Sequence, residues 1–389
     1  MPDLSEPQAL INALNAIGER EKDNTPQIKS VEIFANLLNE DGSIKREMLS
    51  ERDDRGVTYR ELLARYLFLN AVLDQGPDME GVRVLQARVT NRLYAKEIIF
   101  LHEPYLFFQN ADQVFSVIKE VHQEVKEERK EEWAQNQGIR HANRYNLFLD
   151  GTTQLSSYVI GRWGAPLAVT QILIDKNSTL LDLFSGCSSA EDLSEFIKSD
   201  IDYGLGKAIG NKACHLLVKW LLYTYEIISS SSELWSQNSY ELPFDSNAGR
   251  VLFMTGFFHY FLPSLSDESN LSGWSGFKRN SQNSKWHMQI TNAFRGRSIE
   301  IDMGAETSER IKSFLKSHFG TRKKSREVQR IINYLADITQ SKIGNIDDGL
   351  MYIGTKYCIN RGNQRCESCE IRNFCKGKDD NYRKTMFYT

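Results

Sequence analysis

Apolar residues three and four apart dominate this 389-residue chain. The segments "YRELLARYLFLNAVL" (59–73), "QVFSVIKEVHQEVKEERKEEW" (113–133), "KACHLLVKWLLYTYEII" (212–228) and "EVQRIINYLADIT" (327–339) each carry the i, i+3, i+4 spacing that lays an apolar stripe along a helix. The charged end of the second, with Glu and Lys four apart, predicts an exposed helix face. Strand periodicity is scarce. Its clearest instance is "RSIEIDMG" (297–304), where Ile299, Ile301 and Met303 alternate. Eight prolines and no internal repeat complete the pattern of a mainly α protein.

One stretch breaks the helical pattern. Residues 264–298 are rich in Ser, Asn and Gly, with Trp274, Phe277, Trp286 and Phe294 set among Lys278, Arg279, Lys285, Arg295 and Arg297. A long polar loop of this kind is an insertion or a lid, and cations beside aromatics also suit stacking on bases and pairing with phosphates.

Composition adds limits. Hydrophobic residues make up 41% and charged ones 25%, which is ordinary for a soluble protein. No apolar run approaches the roughly 18 residues that span a bilayer. The opening "MPDLSEPQALINAL" has neither a basic start nor a continuous apolar core, so the expectation is a cytoplasmic protein without signal peptide, in a reducing compartment. Net charge is −3, but it is unevenly spread. From Phe319 onward 14 basic side chains face eight acidic ones, a net +6 that leaves −9 on the remainder. That asymmetry predicts either a basic face for an anionic partner or a solvated surface.

Four of the six cysteines crowd into "CINRGNQRCESCEIRNFC", spaced Cys358-x7-Cys366-x2-Cys369-x5-Cys375. A disulfide knot conflicts with a reducing compartment, and CxxC redox chemistry needs only two of these thiols. Zinc and a [4Fe–4S] cluster remain, since both accept four thiolates. Zinc sites more often carry two CxxC pairs, so the single pair leans toward iron. Cys187 and Cys214 stand apart and are expected to be small core residues.

The stretch "DDGLMYIGTKYCINRGNQRCESCEIRNFC" resembles the C-terminal cluster segment of endonuclease III and its relatives. There, an apolar helix ending in a Gly-Arg-like pair runs into Cys-x6-Cys-x2-Cys-x5-Cys. Here the first gap is one residue longer, and Thr355-Lys356 follow Gly354. The resemblance implies a structural [4Fe–4S] cluster on Cys358, Cys366, Cys369 and Cys375, with Arg361 and Arg365 offered to DNA from the first loop.

Three upstream segments follow the order of that family. "NAVLDQGPD" (70–78) resembles its wedge turn, with Gln75 filling the gap left by a flipped base, although Gly76-Pro77 also reads as a plain helix stop. "GLGKAIGNKACHLLVKW" (204–220) resembles the hairpin: Ile209-Gly210 at the turn, Gly210 and Lys207 for phosphate, and Lys212 at the catalytic lysine position. It departs from the family at Gly206 and Ala208. "ELPFDSNAGRVLFMTG" (241–256) resembles the segment that carries the catalytic aspartate, here Asp245, and a DNA-binding arginine, here Arg250. Asp245 also suits a helix N-cap. "SSSSELWSQNS" (229–239) lengthens the gap between lysine and aspartate.

Together these segments imply a DNA glycosylase of the helix-hairpin-helix superfamily with two helical subdomains. Residues 1–58 would be an N-terminal extension. Residues 59–345 would be the glycosylase region, with insertions at about 110–200 and 264–298, and 346–389 the cluster segment and basic tail. The implied partner is double-stranded DNA at the nucleoid, bound by a monomer, with no membrane. Asp245 would stabilise the charge that develops on the sugar as the base leaves. Lys212, as a free amine, would attack C1′ and add a lyase step. The base is left open: the long insertions suit a bulky modified base of viral DNA, hence antiviral defence, and equally an oxidised base in repair. The rivals are a non-catalytic DNA-binding protein on the same scaffold and a zinc protein of unrelated function.

Overall fold

A computed structural model describes residues 4–21, 28–74, 79–135, 159–257, 305–319, 327–358 and 365–376. Among them the chain forms α1 (Ser5–Glu21), α2 (Tyr59–Leu73), α3 (Met79–Tyr94), α4 (Tyr105–Gln109), α5 (Ala111–Gln135), α6 (Ala165–Asp175) and α7 (Leu180–Ser185). It continues with α8 (Ala190–Ser199), α9 (Asn211–Lys219), α10 (Ser246–Met254), α11 (Ala305–Phe319), α12 (Glu327–Ile338) and α13 (Ile343–Lys356). The described residues hold no strand beyond two isolated bridges, so the protein is mainly α. The alternating segment 297–304 and the polar loop 264–298 lie outside the described residues.

Helix periodicity located its elements well. The 59–73 stripe is α2, the 113–133 stripe lies within α5, and the 327–339 stripe is α12. The 212–228 stripe behaves differently. It is α9 up to Lys219, then one wide π-turn over Trp220–Thr224, and it ends there. Trp220, Leu221 and Leu222 in that turn are all buried, continuing the buried run Ala213–Lys219 of α9.

The chain divides into two compact units: residues 1–24, 189–191 and 230–389 in the first, 25–188 and 192–229 in the second. This grouping departs from the linear division at 58 and 345, because α1 belongs with the C-terminal half. In the first unit α1 packs along α13 at a seam of glycines. A Cβ on Gly18 would stand 1.8 Å from the Asn345 carbonyl oxygen, and one on Gly349 would stand 2.2 Å from that of Leu14. The two backbones touch directly, which only glycine permits. Asn15 Oδ1 accepts from the Lys342 amide (3.0 Å) and from Asn345 Nδ2 (3.1 Å), holding the start of α13. Inside this unit Arg330 of α12 is buried, 2.9 Å from Glu241 and 4.6 Å above the Phe319 ring.

In the second unit α2 is the central element, buried at every position but Arg60. Its polar residues are therefore paired inside. Glu61 accepts from Arg65 Nε (2.8 Å) and from the Leu180 (3.0 Å) and Leu181 (3.2 Å) amides, which caps α7. A second clip joins the turn at 53–57 to α3. Tyr94 Oη donates to His102 Nδ1 (2.7 Å), and His102 Nε2 bonds Asp53.

Burial holds the His102 pKa below its ordinary value despite Asp53. Asp53 is itself kept low, against its burial, by His102 and by the Val57 and Arg55 amides. Both groups take up protons more readily in the unfolded chain. Their stabilisation is complete above about pH 6.5 and is lost as pH falls, through His102 first and Asp53 later. Thermal melts of wild type should therefore weaken between pH 6.5 and 5. His102→Gln should melt lower at pH 7.5 yet stay flat across that window; parallel curves would show that the clip is not the acid-sensitive element.

Candidate functional site

At the end of α13 the Tyr357 and Cys358 amides both return to the Ile353 carbonyl (3.1 and 2.8 Å), which turns the chain out of the helix at the first cysteine. Two short 3₁₀ turns, Cys366–Ser368 and Arg372–Phe374, then place the other three. The Cys369 amide reaches the Cys366 carbonyl (3.3 Å) and the Cys375 amide that of Arg372 (3.0 Å). None of the four is in a disulfide; all are partly buried and line one cavity together with Val251, Met254 and Ile353. Burial pushes the Cys358 thiol up to about 11, against the lowering effect of Arg250, and raises that of Cys369. Deprotonation here requires a positive centre, as metal binding supplies.

The cysteine loop is braced by α1. Arg20 of α1 grips Glu370 in the cysteine loop (2.8 and 2.9 Å), and Lys376 reaches Glu6 (3.1 Å). Gly256, at φ +73°, brings its backbone against the Lys376 side chain. Such surface pairs contribute little singly, but these two close the loop between α1 and the rest of the unit.

Arg250 corrects an expectation. It was expected to face DNA, but it is 4% exposed and turns inward. Its guanidinium donates to the Gly354 carbonyl (2.8 Å), to Asn247 Oδ1 (2.8 Å) and to the Cys358 carbonyl. One planar cation thus ties α10 to the end of α13 and to the first cysteine. The reason is geometric: α10 crosses α13 at Gly354, where a Cβ would lie 2.7 Å from that of Asn247. Five residues earlier on the chain, Asp245 caps α10. Its Oδ1 accepts from the Asn247 (2.8 Å) and Ala248 (2.9 Å) amides, and the side chain is partly exposed.

In the second unit Gly210 is the N-cap of α9, with extended backbone (φ −91°, ψ 161°), and Lys212 stands in the first turn. Lys212 Nζ is 3.2 Å from Met79 Sδ and the residue is partly buried. Lys207 is exposed on the 3₁₀ turn Gly206–Ala208. Gly206, the departure from the family pattern, adopts φ +54°, which explains a glycine there. Lys198 was not anticipated. Its ammonium donates to the Gly206 carbonyl (2.7 Å) and to that of Ile209, stitching the turn; nothing in the sequence distinguishes it from a solvated lysine. Lys219, at the end of α9, is fully buried.

Comparison with family models, curated proteins and solved structures finds no match. The site therefore stands on its own geometry. Gln75 and Arg361 lie outside the described residues, and Arg365 is exposed. Of the C-terminal cations, Arg330 is buried against Glu241 and Arg372 pairs with Glu367 (3.1 Å), so that segment's basic excess is partly offset. Cys214 is fully buried, as expected, and Cys187 is buried in the turn after α7. Among the described residues no helix is long and apolar enough to cross a membrane.

Three substitutions grade these contacts. Arg250→Lys leaves three acceptors for one ammonium and should cost on the order of 2 kcal/mol. Asp245→Ala should cost about 1 kcal/mol, and Asp245→Asn, which still caps, only a few tenths. Denaturant unfolding measures all three. An Arg250→Lys loss no greater than that of Asp245→Asn would show that the clamp is incidental.

Proposed function

We propose that the chain is a helix-hairpin-helix DNA glycosylase that excises a modified base from double-stranded DNA and carries a [4Fe–4S] cluster. One observation carries the reading. The cavity lined by the four thiols is tied through Arg250 to the same helix that Asp245 caps. Cysteine spacing, aspartate and arginine thus belong to one packed assembly of the first unit. Cys358, Cys366, Cys369 and Cys375 would hold the cluster, whose contribution when bound is to fold and fix the loop between them.

The chemistry rests on the chain's own groups. A duplex hides the glycosidic bond, so the nucleotide is extruded, with Gln75 filling its place. Asp245, held by two amides at a helix N-terminus, keeps a carboxylate ready for the positive charge that grows on the sugar as the C1′–N bond breaks. Lys212, in the first turn after the Gly210 cap, supplies the amine for attack at C1′; the departing base takes its electrons, and a Schiff base then permits elimination of the strand. Lys207, Gly210 and Arg365 contact phosphates and set affinity and its salt dependence.

A panel of duplexes bearing oxidised, alkylated and bulky phage-type bases tests the reading. Wild type should release one of them, and borohydride should trap a covalent adduct that Lys212→Gln removes. Asp245→Asn should abolish release while binding stays within several-fold. Excision without trapping reassigns the nucleophile to water. Tight binding with no excision across the panel favours the non-catalytic scaffold instead.

A further inference from the structure

The turn that leads into α9 is held from two sides by cations bonded to its main-chain oxygens. On one side is Lys198, in the last turn of α8, on the Gly206 (2.7 Å) and Ile209 carbonyls. On the other, Arg162 Nη1 donates to the Ala208 carbonyl (2.8 Å). The same nitrogen donates to the carbonyl of Val72 (3.3 Å), in the last turn of α2. One guanidinium nitrogen thus joins the hairpin to the helix end that runs directly into Gln75. Both carbonyls must stay within hydrogen-bond reach of that single atom, so neither segment can shift alone without losing a bond.

The mount of Arg162 is itself unusual. It belongs to a π-turn, Val159–Gly164, the widened kind of turn that recurs at functional sites. Trp163 beside it is fully buried, its ring 6.3 Å from that of Phe100 and 6.4 Å from that of Phe107, which anchors the turn. Arg162 is only partly buried. Its bonding also differs from that of its neighbours. On α2 and α3, Arg65 meets Glu61, Arg83 meets Asp74 and Arg88 meets Glu128, so each charge is neutralised. Arg162 bonds main-chain oxygens alone among the described residues and keeps its full charge, which suits a surface that faces a phosphate backbone.

We propose that Arg162 is a positioning residue that couples the turn after α2 to the hairpin before α9, so that filling the stack with Gln75 and presenting Lys212 occur as one step when a nucleotide is extruded. The assignment rests on the glycosylase reading. Arg162 touches neither the base nor the sugar in this account; it acts through the two main-chain segments it holds. Its effect is therefore on opening a paired base, and is dispensable where the base is already unpaired.

Single-turnover excision by the full chain tests this on two duplexes, one with the target base paired and one with it opposite an abasic site. Arg162→Ala should lower the rate on the paired duplex by about tenfold or more and on the other less than about twofold. Arg162→Lys, which keeps the charge and loses the planar fork, should lose a smaller part of the paired rate, and it carries the comparison if Arg162→Ala does not fold. Equal losses on both duplexes, as a merely structural role gives, or no loss on either, overturn the proposal. Fluorescence of 2-aminopurine placed beside the test base reads extrusion without needing excision: wild type should raise it, and Arg162→Ala should bind the duplex without the rise. Unstacking that depends on Arg162 without excision keeps the coupling and removes the enzyme. Excision that ignores Arg162 does the reverse, and binding with neither excision nor unstacking defeats both.

Discussion

A buried guanidinium cannot be left unsatisfied, and Arg250 meets that demand by joining three parts of the chain. It bonds the last turn of α13, the carbonyl of Cys358, and Asn247 beside the Asp245 cap. Removing it would leave two backbone carbonyls at a helix end without their donor. The position of the first cysteine and the entry of α10 are therefore fixed by the same cation. The first cysteine and the Asp245 carboxylate, far apart in sequence, become parts of one packed assembly.

The glycine seam serves the same assembly from the other side. Gly18 and Gly349 let α1 and α13 meet backbone to backbone, and α1 then reaches the cysteine loop through Arg20–Glu370 and Glu6–Lys376. Among the described residues the cysteine loop is thus framed by α1 and α13, with α10 packed on α13. Burial raises the Cys358 and Cys369 thiols, so any metal bound in this cavity would have to displace their protons.

Local features were legible in the sequence. The ends of α2 and α12 followed from apolar spacing, the cysteine loop from its four-residue pattern, and the cap at Asp245 from its place before a helical run. What escaped was set by contacts distant along the chain. Arg250 looked like an exposed cation because nothing local reveals that α13 covers it. Gly18 and Gly349 each looked like an ordinary helical glycine, since their partners are at opposite ends of the sequence. Asn70 and Gln86 interrupt apolar runs as surface residues do, and only the packing of α2 against α3 encloses them. The π-turn at Trp220 escaped because periodicity assumes a regular helix.

The central claim is that the cysteine cage holds an iron–sulfur cluster tied to a DNA-binding helical assembly. Iron and acid-labile sulfide analysis of anaerobically purified full-length protein, with Mössbauer spectra, tests it most directly. The account predicts brown protein with about four irons and about four sulfides per chain. Colourless protein with a single zinc per chain would contradict it.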